Sequence, residues 1–436
     1  MLTSIGISGF KSYRETSLKL APLTVLIGAN AAGKSNAIEA LRLLSWIAQG
    51  NRLSSIRYAV YEGDQAVRGT VASLGYGASR EFTLSCEIEG TEWNAFSITL
   101  NIGEDDDLHI SREQITSPHT TVPLYEVVSH GLGAGSDLLV AYNNFARGGK
   151  KPRVTCNDHL AILHQLQGSA RFEEGHKSAQ STIPEACRRI QDILSNVLFL
   201  DPQPSVMREY SFKTEHRLKG NGSNLSGVLY RLYSTDPGDK GQKILDLIRS
   251  LPEQNIAGMT FIETPRGEVM VALEETFGGE GRNFDATLLS DGTLRVLSIA
   301  AAILSAPEGS LVVIEEIDNG IHPSRAKTIL NSISQIAKQR NLRVLISSHN
   351  PALLDALPDD AVPHVVFCYR QPDGSSKLVC LADIPDYPEL VAQGSVGHLM
   401  TRGLIDRFVK THSGPAARQQ RARDWLDYMF MHPEGM

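Results

Sequence analysis

The stretch Gly28-Ala29-Asn30-Ala31-Ala32-Gly33-Lys34-Ser35 fits G-x-x-x-x-G-K-[ST] at every fixed position. The apolar run Leu23–Ile27 leads into it, and Ala37, Leu41, Leu44 and Ala48 follow at 4, 3, 4 spacing. That order predicts strand, loop and amphipathic helix. The glycines let backbone N–H groups wrap a phosphate, and the helix start adds a partial positive charge. Lys34 is then placed to reach the β- and γ-phosphates and Ser35 to hold Mg²⁺, with Gly28, Asn30, Gly33 and Asn36 completing the candidate phosphate site. A Gly/Ala-rich helix start with no ligand would not need Lys and then Ser at these positions.

A strand–loop–helix of this kind needs carboxylates at the same sheet edge, because ligands of open α/β sheets sit at the carboxyl ends of the strands. "LVVIEEIDNGIHP", Leu311–Pro323, supplies them. Four apolar residues read as a buried strand, and ending such a strand in Glu315 and Glu316 is costly unless a ligand uses the charge. Glu315 is the candidate Mg²⁺ ligand, directly or through water, and Glu316 the candidate to position or activate an attacking water. The alternative is a strand that ends in solvated charges.

Two further segments flank that strand. In "LLSDGTLRVLSIAAAIL", Ser290 is a suitable N-cap, Gly292 permits close backbone approach, and an apolar helix follows. This is a second candidate anion site, although a capped core helix would look similar. "LRVLISSHNPALLDAL" predicts another strand at Arg343–Ile346, with Ser347, Ser348 and His349 at its carboxyl end. His349 is a candidate phosphate sensor or water-orienting group.

The 436 residues are enough for two or three domains, or for one large α/β domain with an insertion. A formal net charge of −7 removes any global basic field, so nucleic-acid contact would have to come from local patches. Five scattered cysteines without a C-x-x-C pair argue against a zinc site or a disulfide framework and fit a reducing cytoplasm. The N-terminus lacks a signal-peptide apolar region, and no run of 18 apolar residues predicts a membrane span.

In the order GANAAGKSN, LSDGT, IEEIDNGIHP and SSHNP, the chain resembles the ABC-type ATPase heads of the RecF, SMC and OLD group. Within it the chain is most similar to stand-alone prokaryotic "AAA family ATPase" proteins of antiviral defence, of the Septu or PARIS kind. "GNGSNLSGVLYRLY" and "GSVGHLMTRGLI" extend the likeness over most of the chain. Ile317 and Asp318 stand where the family commonly has Pro and Glu. The resemblance implies an α/β P-loop ATPase head with a mixed sheet, a lateral antiparallel sheet and an inserted helical lobe. It also implies two subunits that sandwich two ATP molecules, each ATP meeting one phosphate loop and the other subunit's Ser290-Asp291-Gly292. Asp318 and Asn319 would then meet the opposing subunit, a homodimer of C2 symmetry would follow, and Gln65 is the candidate for the glutamine loop.

The expected organisation is a first half of the head at 1–150, a helical lobe at 151–254, the second half at 255–400 and a helical tail at 401–436. "MLTSIGISGFKSYRETSLKLAP" reads as two strands joined by a turn, with Lys11 and Arg14 as exposed turn charges. Residues 68–112 alternate as an antiparallel sheet does. "DHLAILHQLQ", "ACRRIQDILSNVLFL", "SNLSGVLYRLY" and "GQKILDLIRSL" read as helices broken by prolines, without the heptads of a long coiled-coil arm. No E-G-x-x-E with a later D-x-D follows His349, so no nuclease of its own is expected, and Asp359 and Asp360 read as a solvated turn.

Three basic runs, Ala146–Arg153, Lys213–Gly220 and Ala417–Arg423, read as solvated faces that could together track DNA. Pro415–Met431 has an amphipathic pattern. The expected role is a cytoplasmic ATPase that acts as sensor or regulatory subunit beside a separately encoded nuclease or toxin. A RecF-like DNA-repair ATPase is the rival, and a scaffold that binds ATP without turnover is a third reading.

Overall fold

The computed structural model describes residues 1–405 and 409, apart from 62–66, 105, 131–136, 250–254, 278–279, 320–322, 385–391 and 393. Gln65, the basic run 417–423 and the amphipathic pattern at 415–431 lie outside the described residues. The chain opens with β1 (Leu2–Phe10), β2 (Tyr13–Lys19) and β3 (Leu23–Ile27), then α1 (Lys34–Ala48) and α2 (Ile56–Tyr61). Next come β4 (Glu81–Ile88), β5 (Ala95–Ile102), β6 (Leu108–Ser117), β7 (Thr120–His130), β8 (Asp137–Tyr142) and β9 (Arg153–Asn157). The middle holds α3 (Ile162–Gln165), α4 (Lys177–Ser195), β10 (Leu198–Leu200), α5 (Pro204–Met207), β11 (Ser211–Phe212), α6 (Leu225–Thr235) and α7 (Gln242–Arg249). It continues through β12 (Ile256–Glu263), β13 (Glu268–Phe277), β14 (Glu280–Asp285), α8 (Asp291–Ser305) and β15 (Leu311–Ile314). The last elements used below are α9 (Pro323–Gln339), β16 (Arg343–Ser348), α10 (Pro351–Leu354), β17 (Val365–Arg370) and β18 (Ser376–Cys380).

The strands form three sheets. The central one runs β10-β15-β16-β3-β17-β18 and is parallel except for its last strand. Its strands are covered on both faces, which is why they read as unbroken apolar runs. Leu26, Leu311, Val313, Leu345, Val366 and Cys368 point into one core, with α1, α4 and the lateral sheet. Val25, Ile27, Val312, Ile314, Val344, Ile346, Val365 and Phe367 point into the other, with α6 to α9. The period-2 alternation of each strand thus distributes one sequence between two cores.

The lateral sheet is fully antiparallel, in the order β2-β1-β4-β5-β6-β7-β8-β9. It is larger than residues 68–112 suggested, since it takes in the first two strands and extends to Asn157. β11, β13 and β12, with β14 beside β13, make a third sheet that the apolar pattern did not disclose.

The helices expected in residues 151–254 are present, but they divide between the two cores. α4 packs on α1, whereas α6 and α7 pack on α8. "VLFL", read as the end of a helix, is instead strand β10 at the edge of the central sheet. Two branched or aromatic residues in four favour the strand once Asn196 has ended α4. Pro184 does not break α4, which runs through it.

Candidate nucleotide site

The phosphate loop leaves β3 in the middle of the parallel strands and enters α1. Its glycines are required by space. A Cβ on Gly28 would stand 2.2 Å from the Cys368 carbonyl oxygen. One on Gly33, at φ 123°, would stand 2.4 Å from Ser376 Oγ, in a region of backbone space that side chains avoid.

Three successive carbonyls of the loop are held by side chains from other strands. Arg370 Nε donates to Ala31 O (3.0 Å), Ser376 Oγ to Ala32 O (2.6 Å) and the Tyr13 hydroxyl to Gly33 O (3.0 Å). The start of α1 has no side-chain cap and no acidic residue in its first turn. Its first N–H groups therefore lack the usual intrahelical and capping partners, which is the arrangement that binds an anion. Lys34 Nζ donates to the carbonyls of Gly28 (2.5 Å) and Ala29 (3.1 Å). Burial pushes its ammonium pKa down, and the charges of Cys368, Glu316 and Asp318 oppose that shift. Ser35 and Asn30 are exposed. Asn36 turns the other way and donates to Ser12 Oγ (2.7 Å), so here it braces β1–β2 against the loop.

Register brings the acidic strand ends to the same edge. Ile314 pairs with Ile346, and Ser348 with Ile27. Glu315 is mostly buried and accepts a hydrogen bond from Arg42 Nη2 at 2.5 Å. Burial raises its pKa, Arg42 lowers it and Asp201 raises it. Glu316 is exposed and left-handed at φ 47°, an uncommon state for a residue with a side chain. Its N–H donates to Ser347 Oγ (3.1 Å), and its Oε2 accepts from Asn319 Nδ2 (2.7 Å).

Asp318 has a side chain only 6% exposed; its Oδ2 lies 3.1 Å from His349 Nδ1, and its Oδ1 is buried without a hydrogen-bond partner. His349 is half exposed. In the single chain Asp318 thus faces His349, and Asn319 is the exposed member of the pair.

Ser290 caps α8 by accepting from Thr293 N (3.1 Å) and is itself exposed, with Gly292 in the first turn. Arg208 Nη2 holds the approach to this helix through Leu289 O (3.0 Å) and Asp291 Oδ1 (2.6 Å).

A cleft of about 430 Å³ opens beside the paired carboxylates, lined among others by Glu39, Arg42, Arg68, Asp201, Glu315 and Glu316. Glu39 is buried and paired with both Lys11 and Arg68. Lys11 is therefore a buried partner, whereas Arg14 does pair at the surface, with Asp373. Sequence reasoning missed Arg42, Asp201 and Glu39. Asp201 carried a usable signal: Val197–Leu200 is another apolar run that ends in a carboxylate. Arg42 and Glu39 lie off the apolar face of α1 and carried none.

A phosphate loop among parallel strands, carboxylates at the end of a nearby strand and a lateral antiparallel sheet together give the fold of an ABC-type P-loop ATPase head. Residues 157–355 match the family model described as "AAA domain, putative AbiEii toxin, Type IV TA system", and residues 1–127 match "AAA ATPase domain".

Among curated proteins, the chain is 36% identical over 77 residues to the DNA replication and repair protein RecF of Synechococcus sp., 17% of this chain and 20% of that protein. It is 21% identical over 205 residues to the chromosome partition protein Smc of Methanocaldococcus jannaschii, 44% of this chain and 16% of that protein. It is 45% identical over 53 residues to the Old nuclease of Escherichia phage P2, 12% of this chain and 8% of that protein. The matched segments thus span less than a quarter of each of these relatives. The SMC head domain from Thermotoga maritima superposes with a TM-score of 0.41 at 12% identity, over 87% of this chain and 98% of that one. The family models and curated relatives support an ABC-type ATPase of the RecF, SMC and OLD group.

Proposed function

We propose that this chain hydrolyses ATP and that two copies close around two nucleotides. The observation that carries the reading is Glu316. It sits at the sheet edge that bears the phosphate loop, in a left-handed conformation, with its N–H and its carboxylate each held by a neighbour. Strain of this kind clusters at functional sites.

The residues present also fit Mg²⁺. A mostly buried Glu315 and an exposed Ser35 offer oxygen donors, which is the chemistry a hard cation takes. When bound, the ion would screen the phosphate charges. Lys34 would exchange its carbonyl partners for phosphate oxygens, the loop amides would hold the phosphates, and Glu316 would accept a proton from the attacking water. His349, oriented by Asp318, would hold that water or the terminal phosphate.

Closure of a dimer would bring Ser290 and Gly292 of one copy to the nucleotide of the other. Exposed Leu288 and Tyr210 near Arg208 and Ser290 suit such a contact. The test is the mass of Glu316→Gln in solution with ATP and Mg²⁺. We expect a dimer with nucleotide and a monomer without it; a monomer in both conditions would end the dimer reading.

For the biological role, we favour a sensor or regulatory subunit of an anti-phage system with a separately encoded nuclease or toxin. The toxin-type family match and the likeness to the phage Old nuclease support this choice. Retention of such a protein in fixed ratio on Glu316→Gln in its own host would bear it out.

The RecF likeness and the exposed Arg147, Lys150 and Arg153 favour the second reading, a DNA-binding repair ATPase. The run at 213–220 offers less to DNA: Lys213 pairs with Glu263, Arg217 with Asn196 and Lys219 with Glu215. Hydrolysis stimulated by duplex ends or gaps, with a steep salt dependence, would select the repair ATPase. Among the described residues no helix is long and apolar enough to cross a membrane.

A further inference from the structure

On the lateral sheet, at the far end of β6 from the β6–β7 turn, three metal-ligating side chains converge. They are His109 of β6, and Asp158 and His159 just after β9. One donor atom from each lies within 4.8 Å of the other two. We infer that His109, Asp158 and His159 bind one divalent transition-metal ion of the zinc class, tying β6 to the turn before α3. The cysteine pattern argued against a zinc site, but that argument rested on thiols and this cluster uses none.

Distances favour a shared ion. Zinc–nitrogen and zinc–oxygen bonds of about 2.1 Å in tetrahedral array set donors about 3.4 Å apart. His109 Nδ1 lies 2.9 Å from Asp158 Oδ2, and His159 Nε2 lies 3.7 Å from Asp158 Oδ1. The first contact is a hydrogen bond that the ion would replace, the second is slightly wider than the required spacing, and small side-chain rotations bring both histidines to a shared ion.

Asp158 Oδ1 and His159 Nδ1 are both buried without a hydrogen-bond partner. A buried polar atom without a partner is costly, and in a native site it calls for an ion or a water. An ion between Asp158 Oδ1 and His159 Nε2 removes the first of these costs. The two imidazole rings lie 4.5 Å apart between centroids, which puts both beside Asp158.

The main chain fixes the ligands before any ion arrives. Ile110 N donates to Asp158 O (3.0 Å), which sets β6 beside the turn, and Leu53 N donates to His159 O (2.8 Å). His109 opens on a surface cleft of about 520 Å³ and His159 on another of about 280 Å³, so an ion and a fourth, water ligand have access. Two imidazoles with one carboxylate select zinc-like ions over Mg²⁺, which prefers oxygen alone.

The test uses the full, nucleotide-free chain, stripped with chelator and kept in excess Mg²⁺, with Co²⁺ as spectroscopic probe and Zn²⁺ as competitor. We expect one equivalent of Co²⁺, displaced by one of Zn²⁺, with affinity reduced at least tenfold in H109A and in H159A. In the unaltered protein, Zn²⁺ should shield His109 and His159 from carbethoxylation, a readout that does not depend on either variant folding. Absence of stoichiometric binding, affinity unchanged in both variants, or full reactivity of both histidines in saturating Zn²⁺ would overturn the assignment.

Discussion

Glu113 and the Glu315–Glu316 pair put carboxylates to opposite uses. Glu113, on β6 of the lateral sheet, is 1% exposed. It accepts hydrogen bonds from the Tyr125 hydroxyl (2.7 Å), Ile162 N (2.9 Å) and Leu163 N (2.7 Å), pinning the start of α3 to the sheet. Both its oxygens are used within the chain. Glu315 is also mostly buried, but it is bound by one guanidinium at the wall of an open cleft, and Glu316 beside it is exposed in a strained conformation. Burial raises the pKa of Glu113 and of Glu315 alike. What separates structure from chemistry is whether the remaining acceptor capacity is used up within the chain or left facing solvent. A saturated carboxylate holds a fold together, and an unsaturated one at a strand end waits for a ligand.

The hardest test of that contrast is Glu316→Gln. It keeps the shape and the bond to Asn319 but removes the base. Hydrolysis should fall by roughly 10²–10⁴, as expected for a general base, while ATP affinity stays near its original value. A normal rate would place the base elsewhere. Next in size is Gly33→Ala. The new Cβ must tolerate φ 123° and a 2.4 Å approach to Ser376 Oγ. Strain of about 1–3 kcal/mol and a displaced loop should abolish detectable ATP binding, measured by fluorescent-nucleotide titration.

Glu113→Gln should instead leave nucleotide affinity alone and cost about 1–3 kcal/mol of stability in denaturant, because one amide face cannot accept from the donors that meet it. The wild type should also show a pH signature. The Glu113 carboxyl is raised from 4.5 to about 7, chiefly by burial, so the folded chain holds a proton that the unfolded chain has released between those values. Its contribution to stability is complete below about pH 4.5 and is lost as pH rises through 7, roughly 3 kcal/mol in all. Denaturant midpoints between pH 5 and 8 should therefore slope less in Glu113→Gln. An equal slope would show that Glu113 is not the group responsible.

The same contrast explains what could be read from the sequence. The phosphate loop and the Glu315–Glu316 strand end were legible because fixed spacing and an apolar run ending in charge are local patterns. Strands β3, β15 and β16 followed from that, since both faces of the central sheet are covered. β10 was lost because four apolar residues after a helix continue a helical pattern as readily as they begin a strand. Asp201 was lost with it. The third sheet went unread because β14 is mostly exposed and polar, so it has no buried face to alternate against. Glu39, Arg42 and Lys11 could not be found by local pattern at all. Their partners lie between 28 and 273 residues away, and only the folded register brings them together.

Arg42 offers the finest test. From α1 it satisfies Glu315. With a side chain 27% exposed it is only partly shielded, so the pair should contribute about 1 kcal/mol at most. If Glu315 is a metal ligand, Arg42 competes with Mg²⁺ for the same oxygen. Arg42→Ala should then lower the Mg²⁺ concentration needed for half-maximal ATP binding by about two- to fivefold. It should also raise the Glu315 pKa further, since burial would lose its main counterweight. The gain in Mg²⁺ sensitivity should consequently fade as pH falls, where protons take the place that Arg42 vacated. A higher Mg²⁺ requirement at every pH would instead mean that Arg42 orients Glu315 for the ion, and would move this arginine from competitor to support.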